Sequence, residues 1–595
     1  MALPVVIGLG LAMLLLVAGS MSVAVSNIKK ADTDEDWAGA LAAAYAGVEE
    51  YQSRLANDAT YQKYGNPSAP FTNGSGSTVS LPSGSNENPA FGVGTAGTWA
   101  SVSGSTDASY RYEVDNSDYQ DKGILHLRST GRVGDVTRSI VADLKQTGFI
   151  DYLYFTNYET LDPVYAGVTA TDSSGKSVCE RYAYGTPARD SSTCTEIQFG
   201  KNDSFEGPVR SNDRLVICQS TFKKAVLSSS TSSPIYKTAS GCSAPDFRSG
   251  TVVYAAPIDM PPTNTEMKRE TRSDLPADVP RPGCLYTGPT TITFEYSGGV
   301  PKMRVLSPWT KYTNVTASNT GSTPSQCGTP GNVTNGLGSS TGALLDVIER
   351  NLIYVQAVPA SGTSDPNSPT SGYTPPNFTC TSASGSGSGK IPAGWQYKSG
   401  STVVAKFPTT VGSYNEVTPS GGGSSGLTHY GCKAGDVYVE GKLGGQVTIA
   451  AENYIYVTGD LVYNDKATDI LGLVGQNAVF VWNPVRYYYG DFYKLDSDDD
   501  REIDAAILSV GHTFQVQNYN RVERGTLTVF GAIAQKFRGT VGTTAPAGYT
   551  KDYQYDSRYR FTAPPKFLTP VSTTYGVTQY ASVPAAFTAD GATAP

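Results

Sequence analysis

The chain has 595 residues and a mass of 62.9 kDa, more than one hydrophobic core usually supports, so several domains are expected. Lys and Arg number 45 against 53 Asp and Glu, a net charge of −8, so no nucleic-acid partner is predicted. Only 3 histidines are present, which argues against zinc catalysis and His-dependent triads. Few charges (16%) with 63 Gly and 38 Tyr predict a mostly β, extracytoplasmic α+β protein.

The N-terminal segment is apolar. Residues 1–28 carry no charged side chain, and a helix over residues 3–25 would be roughly 35 Å long, enough to cross a bilayer core. Helical periodicity continues to about residue 57 and predicts Leu41, Tyr45, Val48 and Leu55 on one face. The sequence therefore predicts one N-terminal transmembrane and amphipathic helix over residues 1–57.

Three interpretations of this segment compete. A cleaved secretory signal begins with basic residues, which are missing here, although Ser22-Val23-Ala24 resembles a cleavage site. A signal anchor would place Lys29 and Lys30, and with them the bulk of the chain, in the cytoplasm. The favoured interpretation is a pilin-type helix whose basic leader has been removed, and whether Met1 is the initiator or the first mature residue stays open.

The run Met-Ala-Leu-Pro-Val-Val-Ile-Gly-Leu-Gly-Leu-Ala-Met-Leu-Leu-Leu-Val at residues 1–17 resembles the mature N terminus of type IV pilin-like proteins, in particular the minor, PilX-like and K-type pseudopilin branch. Major pilins carry a glutamate at the fifth mature position, where this chain has Val5, and K-type tip subunits also lack it. The resemblance implies a minor or tip subunit. The residues expected in the filament and membrane helix are Met1, Leu3, Pro4, Val5, Leu11, Leu14, Leu15 and Leu16.

The cysteines form an even set confined to the middle of the chain. No Cys-x-x-Cys pair occurs, so neither a zinc ribbon nor a thioredoxin-type site is expected. The cysteines are instead expected to form structural disulfides in an oxidising compartment. Sequential pairing is the simplest of many connectivities, and the sequence alone does not choose among them. The eight residues are Cys179, Cys194, Cys218, Cys242, Cys284, Cys327, Cys380 and Cys432.

Composition and alternation divide the rest of the chain. Residues 58–147 predict a small antiparallel sheet with strands near 110–114, 124–128 and 136–144. Residues 148–430 predict a disulfide-stapled β-rich region with long Gly/Ser loops and one helix over Gly342–Arg350. Residues 431–570 predict a β-solenoid-like region, and residues 571–595 a C-terminal tail.

The solenoid prediction depends on a short sequence repeat, which we call the 24-residue echo. Gly-Asp occurs at 435–436 and again at 459–460, each time before an apolar strand, and 24 residues is a typical length for one solenoid turn. Stacked Val, Ile and Leu would fill such a parallel β-helix. A β-sandwich with similar turns is the alternative.

The same region has a second resemblance. The segments 152–163, 207–213, 505–520 and 525–539 resemble large uncharacterised surface proteins of actinobacteria, which also carry a PilX-like N terminus and are placed among pilus-assembly components. The resemblance implies location and assembly. It supplies no catalytic residues, and none is predicted.

An acidic run suggests a cation site. Hard cations need several oxygen ligands, and alternating carboxylates begin many Ca²⁺ loops. Arg501 stands where an EF-hand needs glycine, so a calcium loop of another type or a solvated acidic hairpin is predicted. Calcium is the one cofactor considered. Its predicted ligands are Asp496, Asp498, Asp500, Glu502 and Asp504.

The most aromatic stretch follows the predicted solenoid strands and precedes the acidic run. Clustered tyrosines bind sugars or pack against neighbouring subunits, and they also occur at ordinary sheet surfaces. A host or surface glycan is the ligand class that this stretch suggests. The candidate aromatic residues are Trp482, Tyr487, Tyr488, Tyr489 and Tyr493.

These observations predict a minor type IV pilin-like subunit at the cell surface, anchored in the membrane before assembly and packed against other pilins through its N-terminal helix. Its role would be structural, with assembly initiation or adhesion as consequences. The alternatives are a membrane-anchored adhesin outside any filament and a β-helix polysaccharide-active enzyme.

Overall fold

The computed structural model describes residues 33–594, apart from 85–86, 94–97, 120–122, 147, 202, 278, 317, 420–428, 544–546 and 571–574. The chain forms two compact units, Met1–Thr147 with Thr573–Pro595 (unit 1) and Gly148–Ser572 (unit 2). The protein is mostly β, with one N-terminal helix and a small antiparallel sheet, as predicted. The predicted C-terminal tail is instead part of unit 1, and the two predicted regions 148–430 and 431–570 form one unit.

Unit 1 is a helix packed on an antiparallel sheet. Helix α1 covers residues 33–57, and each strand pairs with its neighbour in the sheet, the C-terminal strand pairing with β4. The C-terminal strand forms because its backbone N–H and C=O groups pair with those along the edge of β4. The strands are β1 (Ala100–Ser101), β2 (Ala108–Asp115), β3 (Ile124–Val133), β4 (Val136–Gln146) and the C-terminal strand (Tyr575–Val583).

The buried stripe of α1 differs from the predicted one. Val48 and Leu55 are buried as expected, but Tyr45 is 39% exposed. Ala40, Ala43 and Ala44 pack against the sheet at Gly131, where the helix and strand backbones are in close contact, and the larger Tyr51 ring packs further along the helix. The helical residues of the unit 1 core are Ala44, Val48, Tyr51 and Leu55.

Gly131 sets the distance between helix and sheet. It lies within β3, and a Cβ atom there would come under 3.0 Å from backbone atoms of Ala40, Ala43 and Ala44. Real Cβ atoms do not approach that closely, so only glycine permits this packing.

Unit 2 is a parallel β-solenoid. Its long sheet is held almost entirely by parallel pairs. The strands are β5 (Tyr154–Tyr158), β6 (Ser204–Phe205), β7 (Val209–Ser211), β8 (Val216–Ile217), β9 (Thr221–Phe222), β10 (Val226–Ser228), β11 (Lys237–Thr238), β12 (Asp246–Phe247), β13 (Val253–Tyr254), β14 (Cys284–Thr287), β15 (Thr290–Ser297), β16 (Val300–Leu306), β17 (Asn314–Val315), β18 (Gly321–Ser322), β19 (Ala343–Asp346), β20 (Asn351–Gln356), β21 (Phe378–Thr381), β22 (Gly394–Ser399), β23 (Thr402–Phe407), β24 (Thr410–Val411), β25 (Tyr414–Asn415), β26 (Val437–Leu443), β27 (Gln446–Ala451), β28 (Ile455–Tyr463), β29 (Ile470–Gly475), β30 (Val479–Val481), β31 (Val485–Tyr488), β32 (Asp491–Lys494), β33 (Arg501–Ser509), β34 (Phe514–Val516), β35 (Glu523–Phe537), β36 (Gly542–Thr543) and β37 (Ala547–Tyr555).

Short 3-10 helices occur between the strands of both units. Asn88 caps one of them by accepting a hydrogen bond from the Ala90 amide, and Asp556 caps another through the Arg558 amide. The bounds are Ala59–Lys63, Pro89–Phe91, Phe149–Asp151, Thr265–Thr271, Ser325–Cys327, Gly387–Gly389 and Ser557–Arg560.

Buried apolar residues line up from turn to turn in the solenoid. Val439 pairs with Val457, Val457 with Val481, and Val481 with Val516, and all four side chains are fully buried in the main core. Strands of adjacent turns lie about 4.8 Å apart, so the ladder forms continuous van der Waals contact along the solenoid.

The two ends of the unit 2 chain meet inside the stack. Strand β35 pairs with β5 through Ile533 and Tyr154, and β37 pairs with β6 through Tyr553 and Phe205. The early segment 154–254 therefore continues the stack that the later segment 284–555 builds. Region 431–570, predicted as the solenoid, is only part of it.

The 24-residue echo identifies the turn length but not the matching residues. Gln446 pairs with Ile470, and Ile455 with Val479, each 24 residues apart. Gly435 and Gly459 are not equivalent, because Val437 pairs with Ile455, only 18 residues on. Turns of the solenoid differ in length because the loops that connect their core strands differ in length.

The helix predicted over residues 342–350 is wrong. Residues Ala343–Asp346 form β19, which pairs with β16 by placing Ala343 beside Val305. Gly342 has a φ of 71°, which favours a turn into the strand. The edge of β16 supplies hydrogen bonds that outweigh a short helical periodicity.

The eight cysteines form four disulfides, all in unit 2, and the pairing is sequential. The bonds are Cys179–Cys194, Cys218–Cys242, Cys284–Cys327 and Cys380–Cys432. The last of these closes an excursion in which Trp395 and Phe407 cover Tyr438 on the outside of the solenoid. The excursion closed by this disulfide thus covers an aromatic patch on the outer face of the solenoid.

Candidate functional site

A β-hairpin with exposed tyrosines leaves the solenoid between β30 and β33. Strands β31 and β32 pair from Val485 with Lys494 to Tyr488 with Asp491. The two turn residues Tyr489 and Gly490 have φ values of 51° and 97°, as a tight hairpin turn requires. This geometry directs the Tyr489 ring into solvent, where it is 87% exposed.

Arg486 organises the rings of the hairpin. Its guanidinium lies 3.7 Å from the ring centroid of Tyr414, 5.3 Å from that of Tyr488 and 4.9 Å from that of Tyr493. Tyr414 belongs to β25, so the cluster joins two excursions of the solenoid. Cation–π attraction of this kind orients both the guanidinium and the rings.

A second arginine repeats the arrangement. The Arg521 guanidinium lies 4.2 Å from the ring centroid of Phe492, and Phe492 also contacts Tyr487. Among the described residues no carboxylate lies within ion-pair distance of Arg486 or Arg521, and one terminal nitrogen of Arg486 has no hydrogen-bond partner. Both cations therefore keep their charge uncompensated.

The hydroxyl groups at the hairpin tip interact with each other. A hydrogen bond with Tyr489 raises the pKa of the Tyr488 phenol, and their ring centroids are 4.3 Å apart. Tyr487, Tyr488 and Tyr493 are each exposed by at least 37%. Four of the five predicted aromatic residues thus belong to one exposed cluster.

Trp482 lies elsewhere. It packs against Phe407 and borders a separate cleft of about 350 Å³, which Arg304, Lys406 and Glu440 also line. The structure therefore divides the predicted aromatic set into the hairpin tyrosines and one tryptophan beside a different cleft.

The acidic run begins with a structural ion pair. Asp496 pairs with Arg524, whose side chain is fully buried and donates 2.9 Å and 2.7 Å hydrogen bonds to Asn483 and one to the Asp498 carbonyl oxygen. Asp500 accepts a 2.7 Å hydrogen bond from the Thr526 amide. These contacts tie one turn of the solenoid to the next.

Two further carboxylates of the acidic run form ion pairs with one lysine. Glu502 lies 3.0 Å from the Lys466 amine, and Asp504 lies 3.3 Å from the same amine. Burial raises the pKa of Asp504, which also accepts a 2.9 Å hydrogen bond from the Tyr463 amide.

Calcium binding by this acidic run stays a prediction. The part of the chain that the structure describes contains no group of three or more His, Cys, Asp or Glu placed to hold a metal ion. Glu502 and Asp504 lie in the extended strand Arg501–Ser509, which spreads successive carboxylates instead of folding them around one point, whereas Asp496, Asp498 and Asp500 precede that strand.

The hairpin and the acidic run border one groove, which we name the hairpin groove. It has a volume of about 890 Å³ and is open to solvent. Four cationic side chains and two carboxylates line it, a local excess of positive charge in a chain whose net charge is −8. Its lining residues are Arg486, Phe492, Tyr493, Lys494, Asp499, Arg521, Val522, Glu523, Arg524 and Gly525.

Sequence reasoning missed part of this site. Tyr414, Phe492 and Arg521 are not predicted as site residues from the sequence. Tyr414 and Arg521 are distant in sequence from the tyrosine run, whereas Phe492 lies within it. In the structure Tyr414 contacts Arg486, and Arg521 contacts Phe492.

The predicted filament residues lie outside the described part of the chain, which starts at residue 33. Within that part, no helix is both long and apolar enough to span a membrane. The described portion of α1 presents two exposed rings. Trp37 is 46% exposed and stacks 3.9 Å from the Arg138 guanidinium, and Tyr45 contacts Tyr580 at 5.3 Å between ring centroids.

Comparison with known proteins gives one structural similarity to report. No protein-family profile matches the chain, and no curated protein sequence matches it. The crystal structure of the competence-associated pilin ComZ from Thermus thermophilus aligns with 92% of this chain and 97% of its own, at 12% identity and a TM-score of 0.26. A TM-score of this size does not establish a common fold.

Proposed function

We propose that this protein is a pilin-type surface protein, and more specifically a minor subunit of a type IV pilus-like filament or its tip. The observation that carries the proposal is unit 1. In the sequence, α1 follows the uncharged apolar residues 1–28 and a short charged stretch, and its buried face packs on an antiparallel sheet. A helix that is apolar at one end and seated on a globular sheet at the other can pack into a helical bundle while displaying its domain outside.

The exposed rings of α1 support this assembly role. Trp37 and Tyr45 contact side chains of the sheet, Arg138 and Tyr580, and still keep 46% and 39% of their surface exposed. Large aromatic side chains with a polar edge are frequent in protein interfaces. We infer that neighbouring subunits contact these rings, and that Val5 leaves this subunit without the glutamate that major pilins provide.

Unit 2 supports a location outside the cytoplasm. Its four disulfides are all closed, and no free cysteine is present among the described residues. Stable disulfides form in oxidising compartments. We infer that the solenoid is exposed at the cell surface and that its role is structural and adhesive, not catalytic.

The test is the composition of sheared surface filaments. Mass spectrometry of purified filaments should detect this protein with a processed, methylated N terminus. Replacing Leu14 with Asp should remove it from the filaments, because a charge in the helix bundle is costly, whereas the matched Leu14→Ile variant should remain. Both variants should be present in whole cells by immunoblot.

Recovery of the natural protein only in the membrane fraction, with an unprocessed N terminus, would defeat the filament role. The protein would then be a membrane-anchored adhesin outside any filament, the alternative that the same sequence allows.

A further inference from the structure

We propose that the hairpin groove is a binding site for an anionic polysaccharide, with Arg486 and Arg521 holding sugar carboxylates and the hairpin tyrosines stacking on sugar rings. This inference does not depend on the filament role. It concerns unit 2 alone and would hold for an anchored adhesin as well.

The first argument is electrostatic. The groove lining carries Arg486, Lys494, Arg521 and Arg524 against two carboxylates. Lys494 is compensated by Asp499, and Arg524 by Asp496 just outside the lining. The two remaining arginines stand against the one remaining lining carboxylate, Glu523, so the excess is a single positive charge once Asp496 is counted. A planar guanidinium binds a carboxylate through two parallel hydrogen bonds, so each is suited to an acidic group.

The second argument is availability. Both guanidiniums are held by rings and not by anions, at 3.7 Å from Tyr414 and 4.2 Å from Phe492. Stacking fixes the plane of a guanidinium while leaving its N–H edge free to donate. One terminal nitrogen of Arg486 is itself buried and has no hydrogen-bond partner among the described residues.

The third argument distinguishes a polysaccharide from an acidic peptide. Peptide recognition usually depends on buried apolar pockets that hold anchor side chains, and here only Phe492 and Val522 among the lining residues are apolar. The groove is shallow and polar, and the adjacent rings are exposed, up to 87% for Tyr489. Such rings suit the C–H faces of sugars, while phenol hydroxyls reach sugar hydroxyls.

The experiment measures binding of the purified full-length protein to polygalacturonate by biolayer interferometry. The fully methyl-esterified polymer is the matched ligand without charge, and polyglutamate is the matched anion without sugar rings. We expect binding to polygalacturonate only, weakening as salt is raised, because exposed charge pairs are screened.

The variants separate charge from stacking. Arg521→Gln and Arg486→Gln should each weaken binding by about tenfold or more, since each removes a charge-assisted hydrogen-bonding pair. Tyr489→Ala should weaken it less, and because Tyr489 is largely exposed its loss should leave folding intact. Arg248→Gln removes an exposed arginine far from the groove in sequence and serves as the control that keeps full binding.

Three results would overturn the proposal. Equal binding of the methyl-esterified polymer would remove the role of charge. Equal binding of polyglutamate would make the site a general anion or peptide site. Unchanged affinity in Arg486→Gln, Arg521→Gln and Tyr489→Ala, with circular dichroism showing folded protein, would place binding elsewhere. None of these results bears on whether the protein is found in filaments.

Discussion

The two units reach stability by different routes. Unit 1 packs helix α1 on an antiparallel sheet and holds no cysteine in its sequence, so its stability depends on side-chain packing and on one glycine contact. Unit 2 stacks buried apolar residues such as Val439, Val457, Val481 and Val516 from turn to turn and adds four disulfides. The comparison teaches that a repeating core is built from similar contacts between neighbouring turns, whereas a small two-layer core depends on the contacts between its helix and its sheet.

Reduction of the disulfides should produce the largest difference between the units. Opening Cys380–Cys432 releases a loop of 52 residues, worth about 4 kcal/mol in the chain-entropy model. Hydrogen exchange with and without reductant should show lost protection in β26–β28 and unchanged protection in α1. Equal loss in α1 would mean that the units do not unfold separately.

Substitution of Gly131 should have the opposite pattern. Gly131→Ala places a methyl group against the α1 backbone and should destabilise unit 1 by about 3 kcal/mol, with unit 2 unaffected. Chemical denaturation followed by hydrogen exchange would measure it. Gly338→Ala is the matched control in unit 2, because a Cβ there meets no atom closer than 3.5 Å. A wild-type unfolding curve for Gly131→Ala would show that α1 is not packed as described.

Removal of the Asp496 charge tests the acidic run. Asp496→Asn leaves the buried Arg524 without its anion and should destabilise unit 2 by about 2 kcal/mol. The loss should be the same in calcium as in a chelator, because the carboxylates 496–504 are engaged by protein groups. A calcium-dependent rise in the melting temperature of the natural protein, absent in Asp496→Asn, would support the metal hypothesis.

The smallest expected effect is a pH dependence confined to unit 2. Burial raises the pKa of Glu416 to about 7, so its stabilisation is complete below its ordinary pKa and is lost as pH rises through about 7. Burial lowers the pKa of His429 to about 4, so its contribution has the opposite sign, lost as pH falls below about 6.5. The two partly cancel.

Glu416→Gln isolates the carboxyl contribution. The free energy of unfolding should fall less with rising pH between pH 5 and pH 8 in this variant than in the natural protein. The difference in slope should be at most about 1.4 kcal/mol per pH unit, and chemical denaturation at each pH would measure it. The amide retains one acceptor for the Tyr430 hydroxyl, which hydrogen-bonds Glu416. Identical slopes would mean that Glu416 ionises normally in the folded state.

The sequence by itself determined the features that depend on neighbouring residues. Periodicity located α1 to residue 57, alternation located β2, β3 and β4, and the Val-rich runs after residue 435 indicated stacked strands. Each is a local signal, because helix and strand periods repeat within a few residues. The exposed tyrosine run was visible for the same reason.

Only the tertiary structure decided which distant segments meet. The edge of β4 recruits the C-terminal strand, β5 stacks on β35, and the edge of β16 turns a helix-like segment into β19. Likewise, Tyr414 reaches Arg486 and Phe492 reaches Arg521 only after two excursions fold onto one groove. These outcomes depend on unsatisfied strand edges and on space between side chains, which exist only once the chain has folded.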